Sequence, residues 1–168
     1  MGKKVSASLF VDTELGRVWV CCKPCFKKVL ADVPTAHQTA FPVVQEVKNT
    51  TCPVTGTALG EHAVEIVLQD RRFRVCCSEC AVRAKADAQP TLAKLLDGTL
   101  REVGNTTCPV RGTAVTANTF VVVDGRIVRL ADGKAVEAAK ADAAGTLAKA
   151  LEIAARQPKA PEHTPKAP

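Results

Sequence analysis

Apolar positions along the chain fall into three short stretches that each read as a β-hairpin: Leu9 to Val20, Val64 to Val75, and Phe120 to Leu130. The third is the plainest, because Asp124-Gly125 stands between the β-branched runs Val121-Val122-Val123 and Ile127-Val128, and Asp-Gly favours a tight two-residue turn. Each hairpin is followed by a stretch of good helix formers. Cys25 to Val33, which Pro34 should limit, Cys80 to Ala88 and Lys134 to Ala144 are the first helices. Further helices are expected at Thr91–Asp97 and Thr146–Arg156. These elements predict a small α+β protein.

The stretches are also alike in sequence. Gly16-Arg17-Val18-Trp19-Val20-Cys21-Cys22-Lys23-Pro24-Cys25 aligns with Arg71-Arg72-Phe73-Arg74-Val75-Cys76-Cys77-Ser78-Glu79-Cys80, 55 residues later. Asn49-Thr50-Thr51-Cys52-Pro53-Val54-Thr55-Gly56 returns as Asn105-Thr106-Thr107-Cys108-Pro109-Val110-Arg111-Gly112, 56 residues later. Asp87 to Leu96 returns as Asp142 to Leu151. Three matches at nearly one period mark an internal repeat. Its unit is a Cys-Pro knuckle, a hairpin, a cysteine cluster and a helix. Only the middle copy, residues 49–104, is complete. The first, 1–48, has no cysteine ahead of Cys21. The third, 105–157, keeps the knuckle but carries Leu130, Ala131 and Lys134 where Cys76, Cys77 and Cys80 are expected to fall. Residues 158–168 form a Pro- and Lys-containing tail that cannot bury a face and is expected to be disordered.

Composition makes the cysteines matter. Hydrophobic residues are 46% of the 168, but aromatics are 4%, with no Tyr and one Trp. Cores of small aliphatics in units of about 50 residues commonly need a metal or a disulfide. No apolar run approaches the ~18 residues of a membrane span. The basic start lacks the apolar region of a signal peptide, so a cytoplasmic protein is expected. The net charge of +6 is spread out rather than gathered in a patch, which argues against nucleic acid as a partner.

All eight cysteines lie in the repeated elements. Three chemistries fit them. In the first, thiolates hold a soft ion. Cys77-x-x-Cys80 at a helix start turns two sulfurs toward one point, and the helix amides favour their charge. The Cys52 turn brings in another sulfur. Three or four of Cys52, Cys76, Cys77 and Cys80 suit tetrahedral Zn2+, while Cu+ is also a fit for soft ligands. Cys76 and Cys77 are adjacent, so both can reach one ion only where the strand ends before them. The second is thiol–disulfide chemistry at Cys22-x-x-Cys25 and Cys77-x-x-Cys80, and the third is structural disulfides. Metal binding is favoured, since a redox site has no use for a matching knuckle and a reducing cytosol keeps thiols free of disulfides.

Cys52-Pro53-Val54-Thr55-Gly56, followed by a hairpin ending in Val75-Cys76-Cys77-Ser78-Glu79-Cys80 and a helix, resembles the TRASH and YHS-type treble-clef modules. Their pattern is a Cys, about twenty residues, then Cys-x3-Cys. The resemblance implies treble-clef units and metal binding for sensing or trafficking, with Cys52, Cys76 and Cys80 as ligands. Cys21, Cys22 and Cys25 form a second candidate cluster, which Cys108 would complete if the ends of the repeat meet, within the chain or across a homodimer. A different phase groups Cys21, Cys22 and Cys25 with Cys52, and Cys76, Cys77 and Cys80 with Cys108.

The expected role is therefore non-catalytic: buffering, delivering or sensing metal. The alternatives are an adaptor with structural zinc and a protein partner, or a redox protein. His37 and His62 read as exposed loop histidines rather than ligands. Trp19, Phe73 and Ile127 are expected at equivalent core positions of the hairpins. Asp32, Asp87 and Asp142 recur as caps or ion-pair partners.

Overall fold

The computed structural model describes residues 5–6 and 9–157, so the 158–168 tail and most of the basic start lie outside the described residues. The chain is α+β and divides into two compact units, Met1–Leu92 and Ala93–Pro168. No helix is long and apolar enough to cross a membrane among the described residues.

The first unit opens with β1 (Phe10–Thr13) and β2 (Gly16–Trp19), an antiparallel pair, followed by α1 (Pro24–Ala31) and α2 (Val33–Ala40). Val18, Val20 and Val29 are buried between hairpin and helices, with Phe26, Ala36 and Phe41 packed against them. Pro34 does limit α1, but it also sits in the first turn of α2, where its missing N–H costs nothing. Asp32 caps α2 by accepting a hydrogen bond from Thr35 N at 3.1 Å. That second helix was not expected from sequence, and it makes His37 helical and buried rather than an exposed loop residue.

Next come β3 (Gln45–Glu46), β4 (Val64–Leu68), β5 (Arg71–Val75), α3 (Ser78–Ala86) and α4 (Ala88–Leu96), whose last turn crosses the boundary between units. β5 is the middle strand of three, antiparallel to β4 and parallel to the two-residue β3. Phe73, Val75 and Leu68 are fully buried from the hairpin, as are Ala84 and Ala88 from the helices. The small residues on the helices let them lie close to the sheet.

The second unit has the same order: β6 (Arg101–Glu102), β7 (Phe120–Val123), β8 (Arg126–Arg129), α5 (Gly133–Ala141) and α6 (Ala143–Arg156). β8 is central, antiparallel to β7 and parallel to β6. The β7–β8 turn is Asp124-Gly125 with φ of 48° and 70°, the positive pair a type I′ turn requires. Val121, Val123, Val128, Leu130, Ala135, Ala139 and Ala150 form the core around Cys108. Asp142 ends α5 and caps α6 through Gly145 N at 3.0 Å.

Strand register corrects two alignments. The pairs Thr13↔Gly16, Leu68↔Arg71 and Val123↔Arg126 close the three hairpins. Counting onward, Val18, Phe73 and Val128 are equivalent, and all three are buried. Trp19 instead matches Arg74 and is half-buried, and Ile127 matches Arg72, so Trp19, Phe73 and Ile127 do not share a position. By the same count Cys76, Cys77 and Cys80 match Ala131, Asp132 and Ala135, one residue beyond the Leu130, Ala131 and Lys134 expected from sequence. The caps agree: Cys77 Sγ accepts from Cys80 N, and Asp132 Oδ1 accepts from Ala135 N.

Candidate metal centres

Two groups of three cysteines have their sulfurs within 4.8 Å of one another: Cys21, Cys22 and Cys25, and Cys52, Cys76 and Cys80. None of the eight cysteines is in a disulfide.

The second group is assembled by three elements. Thr51 and Ala58 bridge across a tight turn in which Cys52 N donates to Thr57 O at 2.8 Å and Gly56 N to Cys52 O at 2.7 Å. Gly56 has φ of +79°, a region open to glycine at little cost. Asn49 fixes this knuckle to the hairpin. Its Nδ2 donates to Thr51 O and Arg74 O at 2.8 and 2.7 Å, and its Oδ1 accepts from Arg74 N at 3.0 Å. β5 ends at Val75, ahead of both Cys76 and Cys77. Cys76 Sγ is 3.4 Å from Cys80 Sγ on the first turn of α3. Cys52, Cys76 and Cys80 are all buried. Cys77 stands beside the group, 3.9 Å from Cys76 Sγ, as the N-cap of α3.

The first group needs no knuckle. Cys21, Cys22 and Cys25 make a nearly equilateral triangle of sulfurs with sides of 3.7, 3.7 and 3.4 Å. Bonds of about 2.3 Å to tetrahedral zinc put sulfurs about 3.8 Å apart, so this triangle is close to one face of such a site. All three residues are half-buried. A cavity of about 600 Å³ opens beside Cys21 and Cys25, with Val18, Trp19, Val29 and Phe41 among its walls.

Crowding of thiols perturbs their protonation. Hydrogen bonds with Cys22 and Cys21 push the Cys25 thiol up to about 11. Burial, reinforced by the Cys76 thiol, pushes Cys80 strongly up. Burial also opposes ionisation of Cys77, but the Cys80 amide and neighbouring thiols outweigh it and bring that thiol below its ordinary value. Three sulfurs this close cannot all ionise unaided. A soft cation removes the repulsion, so its binding would expel protons.

Cys108 is placed differently. Its turn repeats the hydrogen bonds of the first knuckle, with Cys108 N donating to Thr113 O and Gly112 N to Cys108 O, both at 2.8 Å. Asn105 ties it to Arg129 as Asn49 ties Cys52 to Arg74. The Cys108 side chain is fully buried in an aliphatic core, with Ala131 and Ala135 in the places of Cys76 and Cys80. Cys52 lies with Cys76 and Cys80, the grouping the family resemblance implies, and not with Cys21, Cys22 and Cys25.

Sequence reading missed the polar junction around His37. This side chain is 8% exposed, packs against Phe41 with ring centroids 5.1 Å apart, and leaves Nε2 without a hydrogen bond. Burial holds its pKa below the ordinary histidine value, partly offset by the Gln69 and Leu15 main chain. Its counterparts at the same helical position are Leu92 and Leu147, so the 55-residue spacing could have marked it as inward-facing. His62 is exposed, on the link between knuckle and β4.

No family model matches the sequence, and no curated protein or solved structure matches it significantly.

Proposed function

We propose that the protein is a non-catalytic binder of soft metal ions, Zn2+ or Cu+, built from tandem treble-clef-like units of the TRASH/YHS type. One observation carries this reading: two separate sets of three cysteine sulfurs, each gathered within 4.8 Å by a hairpin and a helix start. Disulfide scaffolds would pair these sulfurs, and a redox site would use two of them. Three converging thiols are what a soft ion asks for.

The two sites differ in kind. Cys52, Cys76 and Cys80 are buried and joined by a knuckle, with Cys77 adjacent as a fourth sulfur, which suits a permanent ion that fixes the fold. Cys21, Cys22 and Cys25 are half-exposed, which suits an ion that is buffered, sensed or passed on. The adaptor reading draws support from the first site and the trafficking reading from the second, and a chain with both sites serves both.

The test is metal content of natively purified protein. We expect about two equivalents for the wild type. Cys21→Ser with Cys25→Ser should remove one, and Cys76→Ser with Cys80→Ser the other. Metal content below 0.2 equivalents, with full thiol–disulfide activity, would reject the reading in favour of redox chemistry.

A further inference from the structure

The knuckles of Cys52 and Cys108 make the same turn but differ at one position that faces the segment between strand and helix. Three residues after the cysteine stands Thr55 in one and Arg111 in the other. Thr55 Oγ1 lies 3.7 Å from Cys76 Sγ, a contact within reach of so large an acceptor. Arg111 Nε lies 3.5 Å from Asp132 Oδ2, on the residue that stands where the middle unit has Cys77. Ala131, in the place of Cys76, offers no polar side-chain atom. Two features are shared by both knuckles. Thr57 and Thr113 each supply the carbonyl that closes the turn, and Asn49 and Asn105 each clasp the hairpin main chain. Residues kept in both units serve the turn. Thr55 is present only where sulfurs converge.

Local hydrogen bonds give the Thr55 hydroxyl a direction. Thr57 N donates to Thr55 Oγ1 at 3.4 Å, and the two hydroxyl oxygens are 2.8 Å apart. A metal-bound cysteine sulfur carries no proton, so Thr55 is then the one donor its contact with Cys76 can have. The Thr55 oxygen has two lone pairs, and the Thr57 N–H and O–H are both placed to fill them. Its own proton is left for the sulfur. Thr55 and Thr57 are half-buried and Cys76 is buried, so water competes little for these groups.

We propose that Thr55 is a positioning residue of the buried site: its hydroxyl donates to the Cys76 thiolate, aims that sulfur at the ion shared with Cys52 and Cys80, and tightens the site's hold. The proposal rests on the metal reading above. A hydrogen bond to an ionised sulfur is charge-assisted, so it stabilises the ligating form more than the protonated one. Groups that orient metal ligands in this way commonly change affinity by about 10–100-fold. On loading, the Cys76 thiol gives its proton to solvent and the Thr55 hydroxyl keeps its own. No oxidation state changes. Asn49 has a different part, since it acts through the main chain and recurs as Asn105 in the unit that has lost its cluster.

The test uses the full-length chain with Cys21→Ser and Cys25→Ser, so that the buried set alone is read. Cobalt is the probe, because its sulfur-to-metal charge-transfer band reports the electron density on the ligating sulfurs. A hydrogen bond to a thiolate lowers the energy of the sulfur lone pairs, so its loss moves the band to longer wavelength. Thr55→Val removes the hydroxyl and keeps the shape. Thr55→Ala removes the methyl as well, and Thr55→Ser keeps the hydroxyl. We expect Thr55→Val and Thr55→Ala to shift the band alike to longer wavelength and to weaken cobalt and zinc binding about tenfold in chelator competition, with Thr55→Ser close to the parent in both. Thr113→Val, at the matching place of Thr57 in the other knuckle, should change neither. A parent-like band and affinity in Thr55→Val, a shift in Thr55→Ala alone, or a shift in Thr55→Ser as large as in Thr55→Val would each overturn the proposal. A parent without a charge-transfer band, or a band that survives Cys76→Ser with Cys80→Ser, would sink the metal reading as well. A band that depends on those cysteines but ignores the Thr55 hydroxyl sinks the positioning role alone.

Discussion

Restoring cysteines to the second unit should create a metal site where the chain now has an aliphatic core. The positions follow from strand register: Ala131 and Ala135 stand where Cys76 and Cys80 do, and Cys108 already occupies the knuckle. Ala135 and Cys108 are fully buried in one cluster with Ala131 packed against it. In the double variant Ala131→Cys, Ala135→Cys, the added sulfur at position 135 enters space with no exposure. Overpacking of that kind costs about 1–3 kcal/mol. Zinc held at about 1,000 times its dissociation constant returns about 4 kcal/mol, so the loaded variant ends no less stable than the parent. A gain of 1 kcal/mol in a domain of this size raises the melting temperature by roughly 4–8 °C. Thermal unfolding with and without zinc, alongside metal content, reads both terms. We expect metal content to rise by one equivalent, with the zinc-free variant melting below the parent and zinc restoring it. The control is Leu130→Cys with Lys134→Cys, the positions a plain sequence alignment gives. Those residues should destabilise without gaining metal, because Leu130 faces the hydrophobic core. An extra equivalent in the control, or none in the register-based variant, would refute the equivalence of the two cluster positions.

Other expectations follow from single side chains. Because burial lowers the His37 pKa, the unfolded chain takes up its proton first, so this residue makes stability fall as pH drops below about 6.5 toward the folded value. His37→Leu, the residue found at positions 92 and 147, should flatten that part of the denaturation-midpoint profile, and an unchanged slope would contradict it. Glu102 accepts from Arg129 through both oxygens, at 3.0 and 3.1 Å, and from Lys94 at 3.0 Å. Burial works against its charge, but the Arg129 and Lys94 contacts prevail and lower its pKa. Glu102→Gln should therefore cost about 1–2 kcal/mol in urea unfolding at neutral pH, between exposed and buried ion pairs. The stabilisation is present above the ordinary carboxylate pKa and is lost as pH falls through the lowered one, so the two proteins should converge in acid. Phe73→Ala, at a fully buried ring, should lose about 3–5 kcal/mol by the same assay. Chelation should lower the melting temperature of the first unit through the buried Cys52, Cys76 and Cys80 set more than through the half-exposed one, which stopped-flow metal transfer would show emptying first.

The legible parts of the fold were those set by local chemistry. Asp124-Gly125 between β-branched runs marks its turn because few other conformations suit that pair. The knuckle is legible because a cysteine followed four residues later by glycine recurs with the same neighbours. What escaped reading depends on pairing across the chain. The strands β3 and β6 have two residues each, too short for any period, and exist because β5 and β8 have an edge to offer. α2 escaped because Pro34 carries two messages: it bars α1 from continuing, yet suits a first helical turn once Asp32 caps it. Trp19 does not share the position of Phe73 because it is one residue further from its turn and so points to the other side of the strand. Period two in a strand decides which neighbour points inward. The cysteine sites were half legible. Spacing shows which residues carry sulfur, but only the end of β5 and the fold of the knuckle bring Cys52 to Cys76 and Cys80. Cys21, Cys22 and Cys25 were legible as a cluster from their C-x-x-C spacing, but as one awaiting Cys108, whereas the fold gathers the three sulfurs by themselves.

X-ray absorption at the metal edge of the natively purified protein examines the thiolate sites directly. A first shell of sulfur alone, at about 2.3 Å and three to four atoms per ion, is the predicted spectrum. A shell dominated by oxygen or nitrogen, or protein that carries no metal when purified without chelator, would contradict it.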